Sequence, residues 1–434
     1  MQRIYTTEVA AHVGERIQVA GWLHALRRLG GISFLVLRDV RGTIQIVLDT
    51  PGALAALEGL LPETVLTAAG TVVAEPQAPG GIEIHGPTFE ILSPVRDALP
   101  FPLNKPEVKA TLPTFLDHAV IGHRHPARRS VMRLQAGIMA GFRTTLTALG
   151  FTEIQTPKLV GSATEGGANV FTVDYFGRPA YLAQSPQFYK QIMVGVFERV
   201  FEVGPVFRAE PHDTVRHINE YVSMDVEMGF IRDHRDVMAV LTQVVRGILG
   251  HLQEHYAPEL AAVNAVLPAA PEQFPAIYFP EAQELILRLH GEDCRGEPDL
   301  APQHERWLGE WARQEYGSDF LFVTGYPMAK RPFYTHPNPA DPAYSNSFDL
   351  LFRGTELVTG GQRLHLYQAY LDSAAARGYT DLTPFETYFE TFKYGMPPHG
   401  GFAIGLERFI MQLLGLDNVR LATLFPRDIN RLAP

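Results

Sequence analysis

Apolar and polar positions alternate in short runs along the first 95 residues. RIQVAGWLHAL (16–26), ISFLVLRD (32–39) and TIQIVLD (43–49) read as half-buried strands, with turns at Gly30-Gly31 and Arg41-Gly42. PGALAALEGLL (51–61) changes to helical spacing. TVLTAAGTVVAE (64–75) and GIEIHGPTFEIL (81–92) return to strand, parted by Pro76 and Pro79-Gly80-Gly81. Three strands, a helix and two strands predict a five-stranded OB-fold β-barrel, a fold that binds single-stranded nucleic acid. Barrels of other kinds with five strands fit the same pattern.

The pattern then changes. Residues 94–126 hold six prolines and predict an extended linker. Helical spacing covers 127–149, and GFTEIQTPKLV (150–160) predicts a strand ending at Pro157. Residues 181–200 start extended and become helical. Strands are predicted at 201–208 and 221–230 around a polar loop, and mainly helix at 234–256 and 281–316. Strands return at 348–352, 356–360 and 401–405 before a helix at 406–415. The expected organisation is a barrel over 1–95, a hinge over 96–126 and a larger domain over 127–434 with a helical insert at about 233–346. The fold class is α+β.

Composition narrows the options. The chain has 434 residues, 46% hydrophobic and 19% charged, which excludes wholesale disorder. Its one cysteine, Cys294, excludes a disulfide framework and a cysteine-based zinc site. The N-terminus lacks the apolar segment of a signal peptide, and no run of 18 apolar residues predicts a membrane span. A cytoplasmic location is expected. The net charge of −10 argues against a generic basic nucleic-acid coat. Residues 233–346, with 8 cations and 16 acids, carry most of the acidity, whereas 96–135 are net +4. The acidic segment is expected to face solvent. The basic stretch includes Arg124, Arg128, Arg129 and Arg133, which suit either a solvated face or a phosphate backbone.

Five segments carry candidate chemistry. FEVGPVFRAEPHDTVRHINEYVSMDVEM (201–228) offers Arg208, Glu210, Arg216 and His217 in or beside a loop, with Tyr221 on the returning strand. A fixed guanidinium can hold two phosphate oxygens at once, and a neighbouring aromatic can stack on a base. A surface hairpin with ordinary ion pairs is the plain alternative. In HGGFAIGLERFIMQLLGL (399–416), Arg408 enters the first helical turn after Gly405, where glycine lets a ligand approach. SFDLLFRGTELVTGGQRLH (347–365) places Asp349 and Glu356 on neighbouring strands, suited to Mg²⁺, and Arg363 after a glycine pair. QSPQFYKQ (184–191) sets Gln187 and Lys190 on one helical face. SATEGGANVF (162–171) is a glycine-rich loop with one acid, Glu165.

In this order, GFTEIQTP (150–157), FRAE with RHINEY and D.EM (207–228), and GGFAIGLERF (400–409) resemble the three signature motifs of class II aminoacyl-tRNA synthetases. The subgroup is the aspartyl, asparaginyl and lysyl one, and the resemblance spans the chain. It is greatest to the archaeal-type aspartyl enzymes. The bacterial type carries a large extra domain, for which the 118 residues between Met228 and Ser347 are too few. The resemblance implies a class II catalytic domain on an antiparallel sheet flanked by helices, with ATP as substrate, Mg²⁺ as cofactor and a homodimeric state.

It also implies residue roles. Arg208 and Arg408 would act on the reacting phosphates, with Arg208 bridging the α-phosphate and the amino-acid carboxylate. Glu210, Arg216, His217, Tyr221 and Gly405 would complete the ATP site. Asp349, Glu356 and Thr359 would hold Mg²⁺, Thr359 standing where many relatives have serine. Glu165, Gln187, Lys190, Thr359 and Arg363 would join Arg208 around L-aspartate, Lys190 and Arg363 pairing with its side-chain carboxylate. In the barrel, Arg27, Phe34 and Gln45 match anticodon-reading positions. His24 and Pro79 align with sites that hold tryptophan and lysine in relatives strict for tRNA(Asp). This chain resembles relatives that also charge tRNA(Asn). The competing readings are an asparaginyl enzyme, a non-catalytic synthetase-like RNA-binding protein and a free-standing amino-acid amide synthetase.

Overall fold

The computed structural model describes residues 2–29, 31–161 and 169–434. It divides into two compact units, Met1–His125 and Pro126–Pro434.

In the first unit, β1 (Arg16–Leu29), β2 (Ile32–Arg38), β3 (Thr43–Leu48), β4 (Val65–Ala74) and β5 (Ile82–Ser93) close a barrel in the order β1-β2-β3-β5-β4. Its interior holds the alternate apolar side chains, among them Val19, Leu35, Leu37, Ile46, Leu66 and Ile84. Helix α1 (Pro51–Ala55) is shorter than its pattern predicts, although Leu57 beyond it still reaches the core. Thr50 caps it by accepting the N–H of Ala53, and Pro51 starts it where its missing N–H costs nothing.

The proline-rich stretch is not extended throughout. It forms α2 (Leu112–Asp117) and α3 (Ala119–Gly122), because Thr111 supplies a cap and Pro113 falls in the first turn. Phe101 and Phe115, both buried, stack with centroids 6.3 Å apart. The segment thus has a small core of its own.

The second unit begins with α4 (Pro126–Ala148), β6 (Thr152–Glu153), β7 (Leu159–Val160), β8 (Thr172–Tyr175), β9 (Arg178–Leu182) and α5 (Gln187–Phe197). It continues through β10 (Arg199–Phe207), β11 (Glu220–Gly229), α6 (His234–His255), α7 (Ala257–Ala262), β12 (Ala276–Tyr278), α8 (Phe279–His290) and α9 (Pro302–Tyr316). Then follow β13 (Phe320–Thr324), β14 (Pro337–Asn338), β15 (Asp341–Ser345), β16 (Ser347–Phe352) and β17 (Thr355–Gln362). The last elements are α10 (Tyr367–Ala376), α11 (Glu386–Lys393), β18 (His399–Gly405) and α12 (Leu406–Leu414).

One sheet organises this unit, in the order β12-β13-β16-β17-β18-β11-β10-β6. The six strands from β13 to β10 pair antiparallel, but β12 and β6 at the two edges pair parallel. The sheet is therefore mixed rather than antiparallel throughout. Met224, Val226, Met228, Phe402, Ile404 and Val358 point to one face and pack with Leu134, Ile138 and Phe142 of α4 and Leu241, Val244 and Ile248 of α6. The alternate residues of the same strands are left for the opposite face.

Two expectations change here. The predicted strand at 150–160 is reduced to two pairs of residues, β6 and β7, and between them Thr156 gives its N–H and hydroxyl to the Glu202 carboxylate (3.1 and 2.7 Å). Residues 233–346 are not a helical insert facing solvent. Helix α6 lies in the main core, and β12 and β13 extend the sheet.

Candidate active site

The open sheet face is set by strand alternation. Tyr221, Ser223, Asp225 and Glu227 of β11 pair with Val206, Gly204, Glu202 and Val200 of β10, and Ser223, Asp225 and Glu227 pair with Gly405, Ala403 and Gly401 of β18. Asp349 of β16 faces Thr359 of β17, which faces Ala403. Over one end lies a cavity of about 250 Å³, lined by Arg208, Glu210, Arg216, His217, Tyr221, Glu356, Thr359, Gly405 and Arg408. All eight residues expected to bind ATP are therefore brought together.

The β10–β11 loop positions the first group. The Arg208 N–H donates to Asn219 O (2.8 Å), and the Asn219 amide donates to the carbonyls of Arg208 and Glu210 (2.7 and 3.2 Å). The Arg208 guanidinium lies 5.8 Å from the Tyr221 ring centroid and 3.7 Å from Glu210, and remains half exposed. His217 lies 3.6 Å from Glu210 and is held by Thr214 (2.6 Å). Burial lowers its proton affinity and outweighs the pull of Glu210. Gly405 faces open space: a Cβ there would come no nearer than 3.8 Å to another group.

The carboxylates at the cleft floor repel one another. Glu356 is 3.8 Å from Arg408 and accepts the Thr359 hydroxyl (3.2 Å). Surrounding protein atoms raise its pKa, and the Asp349 charge raises it further. Asp349 is buried and bound on one oxygen by Arg331 (3.0 Å), while Oδ1 has no hydrogen-bond partner. Glu305 reaches in from α9 and accepts the Glu356 N–H (3.0 Å); burial pushes it up to about 7. Among the described residues no group of three or more histidines, cysteines or acids could hold a metal ion. Two carboxylates and a hydroxyl do fit Mg²⁺, which takes much of its coordination from water and substrate phosphates.

Lys190 and Arg363 lie deeper, both buried. Each already has a partner. Lys190 Nζ is 2.9 Å from Asp225 and 3.4 Å from Glu227, and Arg363 Nε is 3.0 Å from Glu227. Arg363 also donates to Gly401 O (3.1 Å). Burial opposes the charge on Glu227, but Arg363 and Lys190 hold its pKa below the ordinary value. With Asp225 and Glu227 the two cations form a neutral quartet. Gln187 is buried on the first turn of α5 with its amide nitrogen unpartnered. Glu165 lies outside the described residues.

Sequence reading missed Asp225, Glu227, Glu305 and Arg331. The first two had a signal, because acids two apart in an apolar strand share a face. Glu305 and Arg331 reach the cleft from distant segments and had none.

On the barrel, Arg27 pairs with Phe34, Phe34 with Val47, and Val36 with Gln45. Phe34 and Gln45 point away from the barrel core. Gln45 donates to Glu83 (3.0 Å), which also meets His85 (2.7 Å), so two further polar side chains join this face. His24 sits at a register shift in β1 between Leu23 and Ala25, half-buried. It lines a cavity of about 390 Å³ with Phe101, Leu103 and Lys105. Pro79 follows the opposite end of β4 from the one that pairs with Trp22. The structure therefore unites Arg27, Phe34 and Gln45 and leaves His24 and Pro79 apart.

A barrel with a polar and aromatic outer face, followed by a mixed sheet with an arginine-lined cleft, suits an enzyme that binds a nucleotide and handles nucleic acid. A family model described as tRNA synthetases class II (D, K and N) matches residues 112–429, and one described as OB-fold nucleic acid binding domain matches 17–92. The chain belongs to the class II tRNA synthetases of this aspartyl, lysyl and asparaginyl family. It is 47% identical to the aspartate–tRNA(Asp/Asn) ligase of Deinococcus radiodurans, covering 100% of this chain and 99% of that one. It is 46% identical to the enzyme of the same name from Thermus thermophilus, with 100% of both covered. Among solved structures, the asparaginyl-tRNA synthetase of Pyrococcus horikoshii with asparaginyl-adenylate superimposes with TM-score 0.91 at 31% identity, 100% of both chains covered.

Proposed function

We propose that the protein is an ATP-dependent ligase that activates L-aspartate and transfers it to tRNA(Asp) and tRNA(Asn). The observation that carries the choice of amino acid is the buried Lys190–Arg363 pair beneath the ATP cleft, held by Asp225 and Glu227. Relatives at 47% and 46% identity bear the dual Asp/Asn name, while three named for tRNA(Asp) alone stand at 37–39%. The asparaginyl enzymes among the structural neighbours stand at lower identity, 31% and 26%.

In the first step an aspartate α-carboxylate oxygen attacks the ATP α-phosphorus. The bond to the bridging oxygen breaks, and pyrophosphate leaves with the electron pair. Arg208 spans the two reactants and meets the charge that develops on the α-phosphate. Tyr221 stacks on the adenine, Glu210 accepts from it, and Arg216, His217 and Arg408 meet the pyrophosphate end. Asp349, Glu356 and Thr359 would hold Mg²⁺, which would supply positive charge at the phosphates. In the second step a terminal ribose hydroxyl of tRNA attacks the aspartyl carbonyl, releasing AMP. Loss of one preorganised donor aimed at developing charge typically costs about 10²–10³ in rate.

The barrel face of Arg27, Phe34 and Gln45 reads the anticodon, where stacking is worth about 1–3 kcal/mol per base. His24 and Pro79 leave tRNA(Asn) acceptable. Charging of unmodified transcripts with labelled aspartate tests this: both tRNA(Asp) and tRNA(Asn) are expected to accept it, and failure of tRNA(Asn) alone would restrict the enzyme to tRNA(Asp). The proposal includes a cytoplasmic setting. It also includes the homodimer of the subgroup, for which light scattering is expected to give about twice the 48.2 kDa chain mass; a monomer at micromolar concentration contradicts it.

A further inference from the structure

Behind the Lys190–Arg363 quartet lies a second buried polar cluster. Gln191 on α5, Tyr370 on α10, Tyr388 on α11 and His399 on β18 are each at most 3% exposed. Gln191 Oε1 is 2.9 Å from the Tyr370 hydroxyl, 2.8 Å from that of Tyr388 and 3.1 Å from His399 Nε2. The two hydroxyls are 2.9 Å apart, and Tyr370 donates to Leu364 O (2.8 Å). Around them is an aromatic cluster that includes Phe333, Phe389 and Phe392. Polar groups in such surroundings are costly unless every one is paired, so the geometry of the set is stiff.

Proton positions follow from this. His399 Nδ1 lies 2.9 Å from Pro397 O and donates to it. Burial holds the ring neutral, with its pKa down to about 4, against the pull of Glu227. Nε2 is then an acceptor. With the Gln191 amide turned, its otherwise unpartnered nitrogen would donate to His399 and Tyr388.

The cluster touches the substrate cations through the chain. Gln191 follows Lys190 on α5. Tyr370 binds the carbonyl of Leu364, next to Arg363, and the Arg363 N–H donates to His399 O (2.8 Å). We infer that Gln191 is a positioning residue for aspartate recognition: with Tyr370, Tyr388 and His399 it fixes the spacing between Lys190 and Arg363. A carboxylate held by two cations is sensitive to that spacing, because bidentate geometry degrades within fractions of an ångström. ATP, bound at the other end of the sheet face, is not. The inference rests on the proposed aspartate activity.

The test is aspartate-dependent ATP–pyrophosphate exchange by Gln191→Leu and Tyr388→Phe. The second variant deletes one hydroxyl and guards against a first that fails to fold. The KM for aspartate is expected to rise about tenfold or more, with the KM for ATP changed less than about twofold. A variant that merely lost stability would contain less active enzyme at unchanged KM. Unchanged aspartate KM in folded variants, or equal rises for both substrates, would overturn the inference alone. No aspartate-dependent exchange by the wild-type chain would overturn the proposed activity and this inference with it.

Discussion

Glu407 shows how one buried acid reports on the protein around it. It sits in the first turn of α12, 4% exposed, and both oxygens accept the Val222 N–H (3.3 and 3.1 Å). Burial outweighs these bonds and raises its carboxyl from 4.5 to about 7. Between those values the folded chain holds a proton that the unfolded chain has released. Stability therefore falls as pH rises through this window, by no more than about 3 kcal/mol at 1.36 kcal/mol per unit. Glu407→Gln removes the effect. Thermal melts of the variant relative to wild type are expected to improve from pH 5 to pH 8; a difference independent of pH would show that the acid is charged throughout. The same balance of burial against pairing governs the quartet of Lys190, Arg363, Asp225 and Glu227. The types Lys190 and Arg363 were legible in the sequence, but their carboxylate partners were not assigned, because Asp225 and Glu227 looked like ordinary members of a strand.

Strand β18 separates two uses of glycine within one element. At Gly401 a Cβ would lie 2.0 Å from Val226 O and 2.2 Å from Glu227 Oε2, so the sheet closes only without a side chain. At Gly405 it would project into the cleft. Gly401→Ala is expected to lower the melting temperature or abolish folding. Gly405→Ala is expected to melt normally and raise the KM for ATP. Equal melting loss in both would mean that Gly405 serves packing. At this scale the barrel was the most legible part, since period-2 alternation is local and each run ends in a turn signal. The eight-stranded sheet was less so. Its parallel edges β6 and β12 are two and three residues long, too short to show a period. Helices α10 and α11 were not predicted, since their aromatic side chains serve a cluster assembled from distant segments.

For the whole molecule, the net charge of −10 conceals a different arrangement from the one the segment totals suggest. The acidic segment contributes α6 to the core and Glu305 to the cleft. Part of the basic stretch is committed within its own unit: Arg124 pairs with Glu63, Arg133 with Glu259, and Arg128 donates to Leu421 O. Arg96, Lys105 and Lys109 of the same stretch stay exposed. The family is common to aspartyl, asparaginyl and lysyl enzymes, so the amino acid activated separates the readings. The most direct test is ATP–pyrophosphate exchange by the purified chain with aspartate, asparagine or lysine as the only amino acid. The quartet at Lys190 and Arg363 predicts exchange with aspartate and little with the other two. Exchange driven by asparagine or lysine, with aspartate inert, would contradict it.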